Sequence, residues 1–266
     1  MSHSNAVQLN ILVVDDDSVN QHMMGLLLAS RGHTVEFASN GLEALDAVKN
    51  KKYDIVFMDL QMPVMDGIES SRRIREWEKD GGFNTFIVAL TASYLPEKGG
   101  ELFAAGIDNY IAKPFKVEQI YRMVGYFSSG SSQTLPLQIT APAAETNNPK
   151  VLDVQVGVQR LGGNLKMYTI LLEEFIGELH ERLDALQRCL QSDDLRGLSR
   201  VAHNLKGVSA NLGALQLSEY AKRLESHSNA GYTRPLVSLL AEIKASGHEL
   251  EQAGQVFLSN GGSVLK

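Results

Sequence analysis

Two different hydrophobic periods divide this chain. Across residues 11–128, short apolar runs alternate with segments of helical pattern; the runs are Ile11–Val14, Val35–Ala38, Ile55–Met58, Phe86–Leu90 and Tyr110–Ala112. Several are apolar throughout, as expected for parallel strands buried on both faces. Ser18 is placed to cap the first helix, and Asn40 with Glu43 supplies an Asx-x-x-Glu start for the second. Five strand–helix units of this size predict a doubly wound α/β domain built on a five-stranded parallel sheet.

From about residue 151 the period becomes helical. Leu165, Tyr168, Leu172, Phe175, Leu179, Leu183, Leu186 and Leu190 recur every three or four positions, which predicts one long amphipathic helix. Leu195, Leu198, Ala202, Leu205, Ser209 and Leu212 predict a second, and Leu217, Ala221 and Leu224 a third. Pro235 followed by Leu236, Leu239, Leu240 and Ile243 predicts a fourth. Short polar breaks imply an antiparallel four-helix bundle, led by a short helix over Leu152–Leu161. Between the two patterns, residues 129–150 carry no sustained period and are rich in Ser, Thr, Pro, Asn and Ala, which reads as a flexible linker. The expected organisation is an α/β domain over 8–128, a linker over 129–150, an all-α bundle over 151–258 and a tail over 259–266.

Composition narrows the function. The chain has 266 residues, 44% hydrophobic and 21% charged, with a formal net charge of −6, which fits ordinary globular domains and argues against a basic nucleic-acid-binding face. The single Cys189 cannot close an internal disulfide. No apolar stretch approaches the ~20 residues that span a bilayer, and the N-terminus lacks a signal-peptide pattern. The expectation is a cytoplasmic protein without direct membrane insertion and without a nucleic-acid partner.

In an open α/β sheet, ligands bind outside the carboxyl ends of the strands, and the polar residues of the first domain fall there. Asp15 and Asp16 end the first apolar run, Asp59 the third and Thr91 the fourth; Lys113 follows the fifth. Three carboxylates at adjacent strand ends repel one another unless a cation joins them, and an all-oxygen set of this kind suits Mg²⁺. One Asp could then attack a phosphoryl donor and become an acyl phosphate, while the other two hold the metal; the Lys and a hydroxyl would neutralise charge on the transferring oxygens.

The runs ILVVDDD, MDLQMPVMDG, ALTAS and YIAKPF resemble, in order and spacing, the signature segments of two-component receiver domains with a flavodoxin-like fold. That resemblance covers residues 10–128. It implies Asp59 as phosphoacceptor, and Asp15, Asp16, Asp59 and the Gln61 backbone carbonyl as the Mg²⁺ shell. It further implies Thr91 as switch hydroxyl, Tyr110 as switch aromatic, Lys113 as phosphate-pairing cation, and a cis bond between Lys113 and Pro114. A competing pattern exists: Asp15-Asp16-Asp17-Ser18-Val19 also fits the DxDx[TV] opening of haloacid-dehalogenase-like phosphatases. Those enzymes need an acidic pair beyond the Lys, where this chain offers only Glu118 before the linker.

Of seven histidines, His3, His22, His33, His180, His227 and His248 show no metal-ligand spacing. His203 stands apart. At 100° per residue the apolar stripe of its helix centres about 140° away, so the ring is expected to face solvent, with Lys206 and Gly207 one turn on along the same face. A Lys at i+3 can pair with a phosphoryl group on the imidazole. Gly in a helix interior costs about 1 kcal/mol relative to Ala, so Gly207 calls for a reason such as close docking.

The segment AHNLKGVSANLGA, with LGGNLKMYTILLEEFIGELHERLDAL before it, resembles the histidine-containing phosphotransfer (HPt) domain over residues 151–258. The resemblance implies His203 as phosphohistidine, reacting through Nε2, with Lys206 and Gly207 supporting and Ser209 and Gly213 packing. With no P-loop and no glycine-rich ATP lid, the expected protein is a phosphotransfer partner and not a kinase. Receiver followed by HPt resembles the carboxyl-terminal relay of hybrid sensor kinases; a sensor histidine kinase and other receiver or HPt proteins are the implied partners. The rival expectation is a module that regulates a kinase by docking alone, without phosphotransfer.

Overall fold

The structure is a computed structural model, and it describes residues 7–81, 84–91, 99–128 and 149–261. The chain divides near residue 140 into two compact units. Of the expected linker only Pro149 and Lys150 fall among the described residues, and most of the expected tail lies outside them.

In the first unit, β1 (Asn10–Val14), β2 (Thr34–Ala38), β3 (Ile55–Asp59), β4 (Phe86–Thr91) and β5 (Asn109–Ala112) form one parallel sheet in the order β2-β1-β3-β4-β5. Each strand starts and ends within one residue of its apolar run. Helices α1 (Ser18–Ala29), α2 (Gly41–Asn50), α3 (Gly67–Gly81), α4 (Gly99–Ala104) and α5 (Val117–Ser128) connect and follow them. Residues 11–14 of β1 and all of β3 are buried, so their unbroken apolar runs are accounted for by helices on both faces. β2 differs: as an edge strand it leaves Glu36 and Phe37 exposed.

Two caps refine the expected helix starts. α1 is capped by Asp17, whose carboxylate accepts the N–H groups of Val19 and Asn20, and Ser18 is instead the first helical residue. Asp and Ser cap about equally well, and it is Asp17 that has the extended backbone of a cap, φ −107° and ψ 121°, so the cap falls one residue earlier. At α2 the expected pair forms: Asn40 Oδ1 accepts from Leu42 and Glu43, while Glu43 reaches back to the Ser39 N–H at 2.8 Å.

The second unit opens with α6 (Val154–Arg160) and continues with α7 (Leu165–Gln191), α8 (Leu195–Asn211), α9 (Leu215–Asn229) and α10 (Leu236–Ser259). Side-chain contacts fix an antiparallel arrangement. Tyr168 near the start of α7 meets Phe257 near the end of α10 edge to face at 5.8 Å, while Lys244 Nζ, nearer the start of α10, donates to Gln187 near the end of α7. The interior is filled by Tyr168, Leu172, Phe175, Leu198, Leu205 and Ile243, all fully buried. Leu165, expected to begin the apolar stripe of α7, is instead 42% exposed in the first turn.

The turn between α8 and α9 holds α6 in place. Gly213 takes φ +77°, and a Cβ there would lie 2.2 Å from the carbonyl oxygen of Asp153, whose N–H donates to the Gly213 carbonyl at 2.8 Å. Gly213→Ala therefore combines left-handed strain of about 1–2 kcal/mol with a steric overlap. The expected outcome is a fall of about 1 M in the urea midpoint of helix loss, followed by far-UV circular dichroism. The fluorescence transition of Trp77, the only tryptophan and a member of α3, should stay where it is.

Candidate functional site

In the first unit the chain order reverses between β1 and β3, and the crevice at their carboxyl ends receives the polar residues. Asp15 and Asp59 are each 1% exposed. Between them lies Lys113, whose Nζ is 2.7 Å from Asp15 Oδ2 and 2.7 Å from Asp59 Oδ2. Asp16, half-buried, completes a trio in which one carboxylate oxygen from each residue lies within 4.8 Å of the others. Burial pushes the Asp15 carboxyl up to about 7 against the pull of Lys113, with the Asp59 and Asp17 charges adding to the rise. Burial alone would lower Lys113, but the two carboxylates outweigh it and hold the ammonium above the usual lysine range.

Backbone donors fix the carboxylates. Asp59 Oδ1 accepts the Gln61 N–H at 3.1 Å, which leaves Oδ2 to Lys113. Asp15 Oδ1 accepts the Asp17 N–H at 3.0 Å and Asn20 Nδ2 at 3.2 Å. Asn20 is a supporting residue that hydrophobic pattern and motif both passed over. Asp17, buried, has its carboxylate engaged as the cap of α1, so the third Asp of the triplet is a structural group and not the acid-base residue a DxDx[TV] phosphatase would require.

The run MDLQMPVMDG acquires a physical reading here. A Cβ on Gly67 would lie 2.1 Å from the Asp59 carbonyl oxygen, so only glycine lets α3 start against the end of β3. Asp66 caps that start by accepting the Glu69 N–H at 2.8 Å. The Met65 carbonyl accepts the Gly41 N–H at 3.0 Å, and Ser70 Oγ donates to the Gly41 carbonyl at 2.9 Å, which ties the loop after Asp59 to the start of α2.

Thr91, buried, pairs with Ala112 across β4 and β5, and its carbonyl accepts the Lys113 N–H at 2.6 Å. The Lys113–Pro114 peptide is cis. Tyr110 is half-buried and packs against the core beside the sheet. The rest of ALTAS beyond Thr91 lies outside the described residues.

In the second unit, His203 corrects an expectation. It was expected to face solvent and is 4% exposed. The apolar stripe of α8 was read correctly, but α9 packs along the flank of that stripe and covers the ring. Glu225 of α9 lies opposite: its Oε1 is 2.7 Å from His203 Nδ1, and its Oε2 accepts from Lys206 Nζ at 2.6 Å. Burial would raise the Glu225 carboxyl, but the His203 hydrogen bond and the Lys206 charge hold it below the usual glutamate range. Gly207 is buried too, while a Cβ added there would meet nothing within 4 Å, leaving a notch one turn from the histidine.

Glu225 is the functional candidate that sequence reasoning missed. A signal was present: Ser218, Lys222, Glu225 and Asn229 recur at helical spacing. Ser218 Oγ donates to the Lys206 carbonyl at 3.0 Å, and Ser199 Oγ to Asn229 Oδ1 at 2.7 Å, so this polar stripe runs along α8 from Lys206 to Ser199. The remaining described histidines have local explanations. His33 Nδ1 accepts the Leu9 N–H and His227 Nδ1 lies 2.7 Å from the Arg223 carbonyl, both within helical or turn contexts.

Family models match both units: the response regulator receiver domain over residues 11–125 and the Hpt domain over 170–255. The sensor histidine kinase GacS of Pseudomonas protegens is 30% identical over 223 residues, which cover 81% of this chain and 24% of that protein. The signal transduction histidine-protein kinase BarA of Escherichia coli K12 is 24% identical over 84% of this chain and 24% of that protein. The chain thus spans about a quarter of the length of these relatives. The solved receiver domain of the sensor histidine kinase PA1611 from Pseudomonas aeruginosa PAO1, with a magnesium ion in its active-site cleft, is 32% identical. It covers 46% of this chain and 99% of that one, with a TM-score of 0.42. Among the described residues no helix is long and apolar enough to cross a membrane. The chain belongs to the two-component signalling families, joining a response regulator receiver domain to an Hpt domain.

Proposed function

We propose that this chain is a cytoplasmic phosphorelay segment in which Asp59 accepts a phosphoryl group and His203 carries one to or from a receiver. The observation that carries the reading is Lys113 Nζ held 2.7 Å from both Asp15 and Asp59 at the switch point of the sheet, in a domain matched to the receiver family. The proposed domains are the receiver over 8–128 and the Hpt bundle over 151–258.

On this reading a carboxylate oxygen of Asp59 attacks the phosphorus of a donor in line, and an acyl phosphate forms as the donor's bond to phosphorus breaks. Lys113 supplies positive charge to the transferring oxygens, and the Thr91 hydroxyl, at the adjacent strand end, offers them a hydrogen bond. The three-carboxylate donor set fits a hard, oxygen-preferring cation. Asp15, Asp16, Asp59 and the Gln61 backbone carbonyl would hold Mg²⁺, which when bound supplies charge neutralisation at the phosphoryl oxygens. Tyr110, packed against the core from β5, the strand next to that of Thr91, is the candidate to report the change in charge.

In the Hpt domain, Glu225 engages Nδ1 of His203. With the proton on Nδ1, the ring donates to the carboxylate and presents the Nε2 lone pair as nucleophile, and Lys206 is placed to pair with a phosphoryl group on that ring. The donor is another protein, a sensor histidine kinase or an Hpt or receiver partner, or a small acyl phosphate. The reading requires no nucleotide site on this chain. Docking without phosphotransfer is the alternative, and it leaves unexplained why both Asp59 and His203 are held by charged partners.

Incubating the chain with radiolabelled acetyl phosphate and Mg²⁺ should label it, and Asp59→Asn should abolish that label; undiminished label on the mutant overturns the assignment. Glu225 gives a second test. Glu225→Ala should slow transfer to His203 by about 10- to 100-fold, the range seen when carboxylates that orient metal-bound histidines are removed. Glu225→Gln, whose Oε1 still accepts from Nδ1–H, should retain most of the rate. Equal rates for both variants and wild type, measured by quenched-flow transfer, would show that Glu225 does not orient the ring.

A further inference from the structure

α8 carries charges that the histidine site leaves unused. Arg196, Arg200 and His203 follow at intervals of four and three, so they share one stripe of the helix. Both arginines are exposed, and neither makes a hydrogen bond or ion pair among the described residues. Their neighbours are otherwise engaged. Lys206 is tied to Glu225, Lys222 lies 3.6 Å from Glu219, and Arg223 lies 3.4 Å from Glu242.

Arg196 also stands against a local rule. It lies in the first turn of α8, where the helix dipole favours an anion, and that turn contains no acidic residue. Asp194 at the helix start accepts the Gly197 N–H at 2.9 Å as the cap. A cation kept where the helix disfavours it, unpaired and in line with a reactive side chain, points to a ligand that is brought in from outside.

Guanidinium forks match carboxylate and phosphoryl oxygens. The surface that His203 must meet is of that kind. The receiver pocket gathers Asp15, Asp16 and Asp59 within 4.8 Å, and a phosphoryl group adds more negative charge. Of the excess of 31 acidic over 25 basic residues in this chain, most lies within residues 1–128.

We propose that Arg196 and Arg200 form a basic guide on the Hpt bundle that captures an acidic receiver domain supplied by another chain and sets how fast its phosphoaspartate reaches His203. The inference rests on His203 being the phosphoacceptor. The two arginines act on encounter and not on the chemical step, so they govern the second-order rate and its dependence on salt.

The test mixes two full-length chains. The donor carries His203→Gln and is labelled on Asp59; the acceptor carries Asp59→Asn, with or without changes at the arginines. At low ionic strength, Arg196→Gln with Arg200→Gln should lower the second-order transfer rate about tenfold and flatten its decline with added NaCl, leaving the saturating rate unchanged. Arg196→Lys with Arg200→Lys should restore most of the rate and salt slope, and far-UV circular dichroism should match throughout. A neutralised acceptor with the wild-type rate and salt slope, or one whose saturating rate falls instead, overturns the guide while leaving His203 as acceptor. An acceptor with both arginines intact that takes no label overturns the phosphoacceptor reading and the guide with it.

Discussion

Burying two carboxylates side by side is the constraint on which the receiver unit is built. Asp15 and Asp59 are almost wholly removed from water, where unpaired charges would be strongly destabilising. One ammonium, Lys113, joins them, and it can do so only because β5 ends beside β4 with its chain redirected at once towards the pocket. The Thr91 carbonyl takes the Lys113 N–H, and the glycine at 67 allows α3 to begin against Asp59 itself. Removing any one of these local features leaves a buried ion without its partner, so sheet order, loop chemistry and site electrostatics cannot vary independently.

The Hpt unit meets the same constraint with the signs exchanged. There one carboxylate, Glu225, serves two nitrogenous groups, the His203 ring and the Lys206 ammonium. In the receiver one ammonium serves two carboxylates. Each arrangement fixes the orientation of its group: Asp59 turns Oδ2 to Lys113 and Oδ1 to the Gln61 N–H, and His203 turns Nδ1 to Glu225. On the proposed reading the second orientation leaves Nε2 of His203 for reaction, and a rigid strand end or helix seam maintains each of them.

The architecture was legible because it depends on period. Apolar runs of four or five residues between helical patterns gave the parallel sheet to within a residue at each strand, and the change to a period of three or four marked the bundle. The receiver pocket was legible because the fold gathers its residues at successive strand ends, so order along the chain maps onto adjacency in space. What escaped was whatever depends on packing between elements of similar appearance. The wheel of α8 located its apolar stripe but could not show that α9 would cover the flank carrying His203. Glu225 is 22 positions from His203 in sequence, on a helix read only through Leu217, Ala221 and Leu224. Ser18 and Asp17 are adjacent and both able to cap, and only the geometry of the turn decides between them.

The burial of Asp59 and His203 bears on how the proposed transfer could take place. Asp59 is 1% exposed and His203 4% exposed, so contact between two static surfaces would leave the atoms proposed to react apart. On the Hpt side, the notch at Gly207 removes bulk one turn from His203, while Lys206, three positions on from the histidine, remains partly exposed. Lys206 is held by the same carboxylate that holds the ring. On the phosphorelay reading, a negatively charged phosphoryl group approaching the seam would compete with Glu225 for that ammonium while the Nδ1 bond of the ring persists.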